Sequence, residues 1–363
     1  MPPSSPFGET PQRRRPPGMT DVARLAGVSQ KTVSRVVNNE RYVSDDVREK
    51  VLRAARELGF RPNTAARALI TGRFRRIGVV SLGTALYGPA SLQVAMERAT
   101  RSAGVSVMVA NTLEGQPGAI AEAVEWLLQQ GVDAIVISEP IDEDEPVEID
   151  TEVPIYSLGQ ARGVPEAQNL LTGEFNRIAG REAAEHLLDL GHARVWHVAG
   201  PEKWYAARER AQGWRDAHEA RGIEPPPMLQ GDWSPASGYR AGLQLVRDPD
   251  VTAVACANDD MAIGLVRAFT EAGRSVPERV SVTGFDDIPA AAYLTPPLTT
   301  IRQRFEADAI RALGTILRRL PGASTDAPEP DPPAPATGPS LVVRASTAPS
   351  PSRLKEEPGK DAR

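Results

Sequence analysis

The chain has 363 residues, 41% hydrophobic and 25% charged, which fits an ordinary soluble globular protein long enough for two linked lobes. No apolar run approaches the roughly 20 residues that cross a bilayer, and the lone Cys256 excludes an intramolecular disulfide and a cysteine-based zinc site. The net charge of −5 conceals an asymmetry: residues 1–76 carry 16 Lys and Arg against 7 Asp and Glu, the remainder 26 against 40. A basic first module on an acidic body points to a polyanion partner for that module alone.

Residues 1–18 are Pro-rich with an Arg triplet and are expected to be a disordered tail. They lack the apolar stretch of a signal peptide, so a cytoplasmic location is expected. Residues 19–61 read as three short helices with tight breaks. Within DVARLAGVSQKTVSRVVN (21–38), Ala23 is small where two helices touch, Gly27 supplies a positive φ, and Val33 returns the second helix to the core. Ser29 is placed to cap that second helix. Its first exposed positions are Gln30 and Lys31, with Arg35 one turn on, and a recognition helix offers its N-terminal residues to base edges. The alternative is a small helical hairpin in some unrelated domain.

Residues 62–76 read as a hinge helix and linker. PNTAARAL (62–69) has Pro at a first helical position, helix-favouring alanines and one large apolar residue, Leu69. An exposed Leu on a short basic helix suits a wedge in a minor groove; the alternative is a plain linker with Leu69 packed on the body.

From 77 to 347 apolar strands alternate with helices. Strands are expected at Ile77–Leu82, Val105–Ala110, Ala134–Ile137, Ile155–Leu158, Val195–Ala199, Val251–Ala255 and Val280–Phe285. Helices are expected at Pro89–Ala103, Pro117–Gln130, Arg177–Leu190, Lys203–Arg221 and Asp259–Ala272. This beat predicts parallel sheets covered on both faces, in two doubly wound lobes with a ligand cleft at the carboxyl ends of the strands. The fold class is thus α/β, with an all-α helix-turn-helix headpiece. A Pro-rich insert (321–339) precedes a short strand, Leu341–Arg344, and 348–363 reads as a loose, disordered tail without leucine heptads.

Pyranose recognition needs a flat apolar surface and planar groups that grip adjacent hydroxyls. Trp233 offers the first; Arg210, Asn258 and Asp286 offer the second, each beside a strand end or early in a helix. The alternatives are a helix N-cap for Asn258 and a turn for Asp286–Asp287. The four histidines show no metal spacing and no Ser-His-Asp grouping, and no phosphate loop of the G-x-x-x-x-G-K-[ST] type occurs, so neither an enzyme nor a metal or other cofactor is expected.

DVARLAGVS, TVSRVVN, REKV with LGFRPN, the LGH turn at 190–192, AND at 257–259 and VTGFDD with PPLTTI occur in the order that closely resembles the lactose-repressor family of bacterial transcription regulators. The resemblance runs from Met19 to about Thr347, and AARERAQGW (206–214) and GDWSPASGY (231–239) place it near the lactose-repressor branch. It implies a sequence-specific DNA-binding repressor with a periplasmic-binding-protein-like sensor domain, governing carbohydrate metabolism and released allosterically from double-stranded operator DNA by a sugar or glycoside. It implies DNA contacts from Ser29, Gln30, Lys31, Thr32, Ser34, Arg35, Asn38, Asn63, Ala66 and Leu69. It further implies sugar contacts from Arg210, Asn258, Asp286 and Trp233, and an apolar wall of Leu86, Pro89 and Leu92. Ser138 and Gly159 stand where the branch carries Asn and Asp, so the resemblance carries over the sugar class but not the branch's particular galactoside, and Gln30 and Lys31 imply a different operator. Without leucine heptads, a homodimer is expected. A periplasmic sugar-binding protein would share the body but not the headpiece.

Overall fold

The computed structural model describes residues 15–37, 42–61, 73–112, 116, 118–138, 141, 150–159, 164–165, 168–170, 174–320 and 340–351. The chain divides into two compact units, Met1–Phe74 and Arg75–Arg363.

Unit 1 contains α1 (Met19–Ala26), α2 (Gln30–Val37) and α3 (Asp45–Leu58). The Gly18 N–H, at the last position of the expected tail, donates to the Asp21 carboxylate at 2.9 Å and caps α1, which starts at Met19 where the headpiece was expected. Gly27, at φ +66°, ends it in the left-handed region that glycine enters without strain. Two residues later Ser29 Oγ accepts the Thr32 N–H at 3.1 Å and starts α2. These two local devices set the helices across one another, so Val22, Ala23, Val33, Val36, Val51 and Ala54 form one small buried core. The hinge segment 62–72 and the insert 321–339 lie outside the described residues.

Unit 2 holds two sheets. Lobe 1 has β1 (Arg76–Ser81), β2 (Ser106–Asn111), β3 (Ala134–Ile137) and β4 (Ile155–Ser157), all parallel, in the order β2-β1-β3-β4. It is flanked by α4 (Tyr87–Ser102) and α5 (Ala119–Gln129). Lobe 2 has β5 (Trp196–Ala199), β6 (Leu229–Gln230), β7 (Ala253–Cys256), β8 (Ser281–Asp286), β9 (Thr299–Arg302) and β10 (Ser340–Val342). Its order is β10-β9-β8-β7-β5-β6, with only β10 antiparallel. Its helices include α6 (Glu174–Asp189), α7 (Tyr205–Glu219), α8 (Pro235–Leu245) and α9 (Asp259–Glu271). All residues of β3, β7 and β8 are buried, which is why these strands read as unbroken apolar or small runs rather than as alternation.

Both sheets reverse direction at their first strand: β1 lies between β2 and β3, and β5 between β6 and β7. A crevice opens at such switch points beyond the carboxyl ends of the strands.

α10 (Phe305–Arg319) follows β9 of lobe 2 but packs against α4 of lobe 1. There Ala309, Ala312, Leu313 and Ile316 share a core with Ile77, Met96, Val136 and Tyr156. Neither α8, α10, β6 nor β9 was anticipated above.

Residues 348–351 depart from the expectation of a loose tail, because short polar side chains tie this segment to lobe 2. Ser346 Oγ donates to Val282 O at 2.7 Å, the Ala348 N–H to Ser281 Oγ at 3.0 Å, and the Ser350 N–H to Leu190 O at 2.9 Å. Ser350 is buried. No helix among the described residues is long and apolar enough to cross a membrane.

Candidate functional site

The two switch points of unit 2 face a common cavity. The loop after β1 brings Leu86, with Pro89 and Leu92 on the first turns of α4, and the end of β3 brings Ser138. From lobe 2 come Arg210 on α7, Trp233 after β6, Asn258 after β7 and Asp286 at the end of β8. All eight candidate effector residues therefore line one cavity. Gly159 is not among its lining residues.

Arg210 is buried and fixed on several sides. Its Nε donates to Asn176 Oδ1 at 3.0 Å and its Nη1 to Ala257 O at 2.6 Å. Its guanidinium carbon lies 3.6 Å from the centroid of Phe285 and 5.6 Å from that of Trp233, close enough for cation–π attraction. Nη1 stands 3.9 Å from Asp286 Oδ1, an ion pair rather than a tight hydrogen bond.

Asp286 receives Gln303 Nε2 at 2.5 Å. Burial pushes its carboxyl up to about 6 against the pull of Arg210 and Gln303. Next to it Asp259 accepts Thr300 Oγ1 at 2.5 Å and the Ile288 N–H at 2.9 Å; burial, with Asp286 nearby, pushes it up to about 8. Asp286 and Asp287 hold φ of +112° and +53°, so the turn foreseen as an alternative is present and is what aims the Asp286 carboxylate. Asp287 serves the turn itself, receiving Arg344 and Arg302 at 2.6 Å each.

Asn258 is also the N-cap foreseen as its alternative. Its Oδ1 accepts the Met261 N–H at 2.9 Å, while its Nδ2 donates to Trp233 O at 3.0 Å and holds that residue at φ +70°. The Trp233 ring lies on Gly200, where an added Cβ would come within 2.2 Å of it. Its indole Nε1 is buried without a hydrogen-bond partner among the described residues.

Sequence reasoning missed further lining residues: Tyr87, Asn176, Trp204, Tyr205, Gln303 and, on α10, Phe305 and Asp308. Trp204 and Trp233 meet edge to face at 5.5 Å, and Tyr87 meets Phe305 at 6.1 Å. Trp204 and Tyr205 sit beyond β5 as Asn258 sits beyond β7, a signal that was available.

The histidines are structural. His197 Nδ1 is 2.9 Å from Ala255 O and burial lowers the ring to about 4; His192 lies between Thr252 and Ser281. Among the described residues no group of His, Cys, Asp or Glu could hold a metal ion, and burial pushes the Cys256 thiol up.

In unit 1, Ser29, Gln30 and Lys31 are exposed at the start of α2, and Thr32, Ser34 and Arg35 are half-buried along it. Asn38, Asn63, Ala66 and Leu69 lie outside the described residues.

A family model for the bacterial regulatory proteins of the lacI family matches residues 18–63, and one for the periplasmic binding protein-like domain matches residues 184–347. The chain is 36% identical to the lactose operon repressor of Escherichia coli (strain K12) over 295 residues, 80% of this chain and 81% of that protein. The chain belongs to the lacI family. It is a DNA-binding transcription regulator, not an enzyme. It is also 36% identical over 328 residues to the HTH-type transcriptional regulator CelR of Thermobifida fusca, covering 87% of this chain and 95% of that one. Among solved structures it is similar to a lac repressor dimer bound to operator and the anti-inducer ONPF, with a TM-score of 0.75 at 32% identity, covering 92% of this chain and all of that one. A CelR–cellobiose complex superposes with a TM-score of 0.64 at 30% identity, covering 91% and 99%.

Proposed function

We propose that this lacI-family member is a cytoplasmic homodimeric repressor that leaves its operator when a sugar or glycoside occupies the cleft of unit 2. The observation that carries this reading is the joint placement of Arg210, Asn258, Asp286 and Trp233 around one cavity. A charged pair offers donors and acceptors to adjacent hydroxyls, and an indole offers a face to the ring. Arg210 and Asp286 cancel in charge, which favours a neutral ligand. The lac repressor bound to operator and the CelR–cellobiose complex lend support by similarity.

In this reading residues 19–61 form the headpiece, 62–76 the hinge and 77–347 the sensor. Gln30, Lys31 and Arg35, with Ser29, Thr32, Ser34 and Asn38, enter the major groove, whereas Asn63, Ala66 and Leu69 reach the minor groove. The effector acts by population shift: it binds better to a closed cleft, and that state disfavours the paired hinges on DNA.

The test is selection of bound duplexes from a random pool, repeated with a panel of mono- and disaccharides. A pseudo-palindromic site should be enriched, and one saccharide should abolish the enrichment. A site insensitive to every saccharide would overturn the effector assignment while leaving the DNA-binding assignment intact.

A further inference from the structure

The two walls of the cleft differ in chemistry, and one residue of the lobe 1 wall stands out. That wall is Leu86, Pro89, Leu92, Leu158 and the rings of Tyr87 and Phe305. Ser138 adds a hydroxyl, but it donates to Val80 O at 3.1 Å. Among the described lining residues of lobe 1, the one charged side chain is Asp308, which stands one turn after Phe305 on the same face of α10.

Asp308 is built to remain an acceptor. It lies in the first turn of α10, where the helix dipole favours an anion. Arg311, one turn on, donates to its Oδ1. A carboxylate offers about four lone-pair positions, so one guanidinium donor leaves acceptor capacity for a ligand. Burial raises its carboxyl, with Arg311 and Arg304 pulling the other way. Because Arg311 already balances its charge, the cleft has no need of a cationic ligand at this wall.

We propose that Asp308 is a specificity-determining residue that accepts hydrogen bonds from hydroxyls on a second sugar unit, so that the cleft selects disaccharides over glycosides with an apolar aglycone. The inference rests on the sugar-sensing reading above. Two costs enforce the selection. A hydroxyl-bearing unit replaces the water that the carboxylate gives up, whereas a phenyl or alkyl group removes that water and returns nothing. The surrounding rings and aliphatic side chains supply the flat apolar faces that any pyranose also needs.

The experiment measures binding of cellobiose, lactose, phenyl β-glucoside and phenyl β-galactoside to the full chain and to Asp308→Leu and Asp308→Asn, with thermal unfolding as the check on folding. The wild type should prefer the better disaccharide over its phenyl counterpart by at least about tenfold. Asp308→Leu should lose about tenfold for the disaccharide while gaining for the phenyl glycoside, reversing the order. Asp308→Asn, which keeps an acceptor oxygen, should fall between. A folded Asp308→Leu protein whose preference matches wild type overturns the assignment of Asp308 alone. Failure of wild type to bind any of the saccharides overturns the sugar reading and this inference with it.

Discussion

The two walls of the cleft solve different problems. On lobe 2 the three groups proposed to grip hydroxyls are held by others: Asn176 and Ala257 O fix Arg210, Gln303 fixes Asp286, and Met261 N–H and Trp233 O fix Asn258. On lobe 1 the lining is mostly hydrocarbon and aromatic, with the Ser138 hydroxyl turned to Val80 O and Asp308 as its single charge among the described residues. Hydrogen-bonding groups that are oriented beforehand lose little entropy on meeting a ligand, so the lobe 2 wall is suited to grip. A largely apolar wall with one charged acceptor grips little but penalises the wrong group, so it is suited to discriminate.

Removing the centre of the lobe 2 network should break the comparison most completely. Arg210→Ala would leave Asp286 buried beside a vacated guanidinium site and unpair Asn176 and Ala257 O. A loss of about 3–5 kcal/mol in the stability of unit 2 is expected, measured by chemical unfolding, together with loss of sugar binding. A variant as stable as wild type would mean that the network does not act as a unit.

Gly200→Ala attacks the same wall through shape. The new methyl would collide with the Trp233 ring, an overpacking that costs about 1–3 kcal/mol. The change should appear in indole fluorescence and in weaker sugar binding, both measured by titration.

Asp286→Ala removes one grip and leaves the rest of the wall in place. It should weaken sugar binding at least about tenfold, or about 1.4 kcal/mol. Operator affinity without sugar should stay unchanged, giving a regulator that resists induction. Loss of operator binding in this variant would mark Asp286 as a folding residue of its turn.

The smallest effect sharpens the picture. Asp286 titrates near 6 in the folded chain, above the ordinary carboxyl value, so its protonated form is favoured by folding. Its contribution to stability therefore falls as pH rises from about 4 to 6. Sugar hydroxyls favour the ionised form, so effector affinity should rise a few-fold between pH 5 and 7, and Asp286→Asn should flatten that rise. The neighbouring charges are Arg210, Asp260 and Asp259, the last near 8 and protonated across this window. Burial lowers all four histidines, His197 to about 4, and none of them lines the cleft.

Local chemistry was legible in the sequence where short-range physics decides the structure. Gly27 and Ser29 mark the turn and cap of the headpiece within three residues of each other. Strand ends followed by polar or aromatic residues pointed to Arg210, Trp233, Asn258 and Asp286. What could not be read was assignment across distance. The segment 305–319 has helical spacing, yet nothing in it says that its apolar face belongs to lobe 1, so Phe305 and Asp308 were overlooked as lining residues. α8 was hidden because its glycines, Gly238 and Gly242, look like breakers; they permit close packing against α9, with Met261 O only 1.9 Å from where a Cβ on Gly238 would sit. The part of the strap 346–350 beyond Thr347 was overlooked because serine and alanine carry no apolar signal, and hydrogen bonds are what fix it.

The return of α10 to lobe 1 has a consequence for synthesis on the ribosome. The first four strands and two helices of unit 2 emerge early, but their shared core lacks Ala309, Ala312, Leu313 and Ile316 until the whole of β5 to β9 has been made. Lobe 1 must therefore wait with an apolar face open while about 150 further residues, from β4 to α10, are translated. Lobe 2 waits in turn for β10 and the strap at 346–350, which follow α10, so both lobes close only when the last part of the chain has been made. At roughly 5–20 residues per second that interval is many seconds, a window in which a chaperone has an evident place to bind.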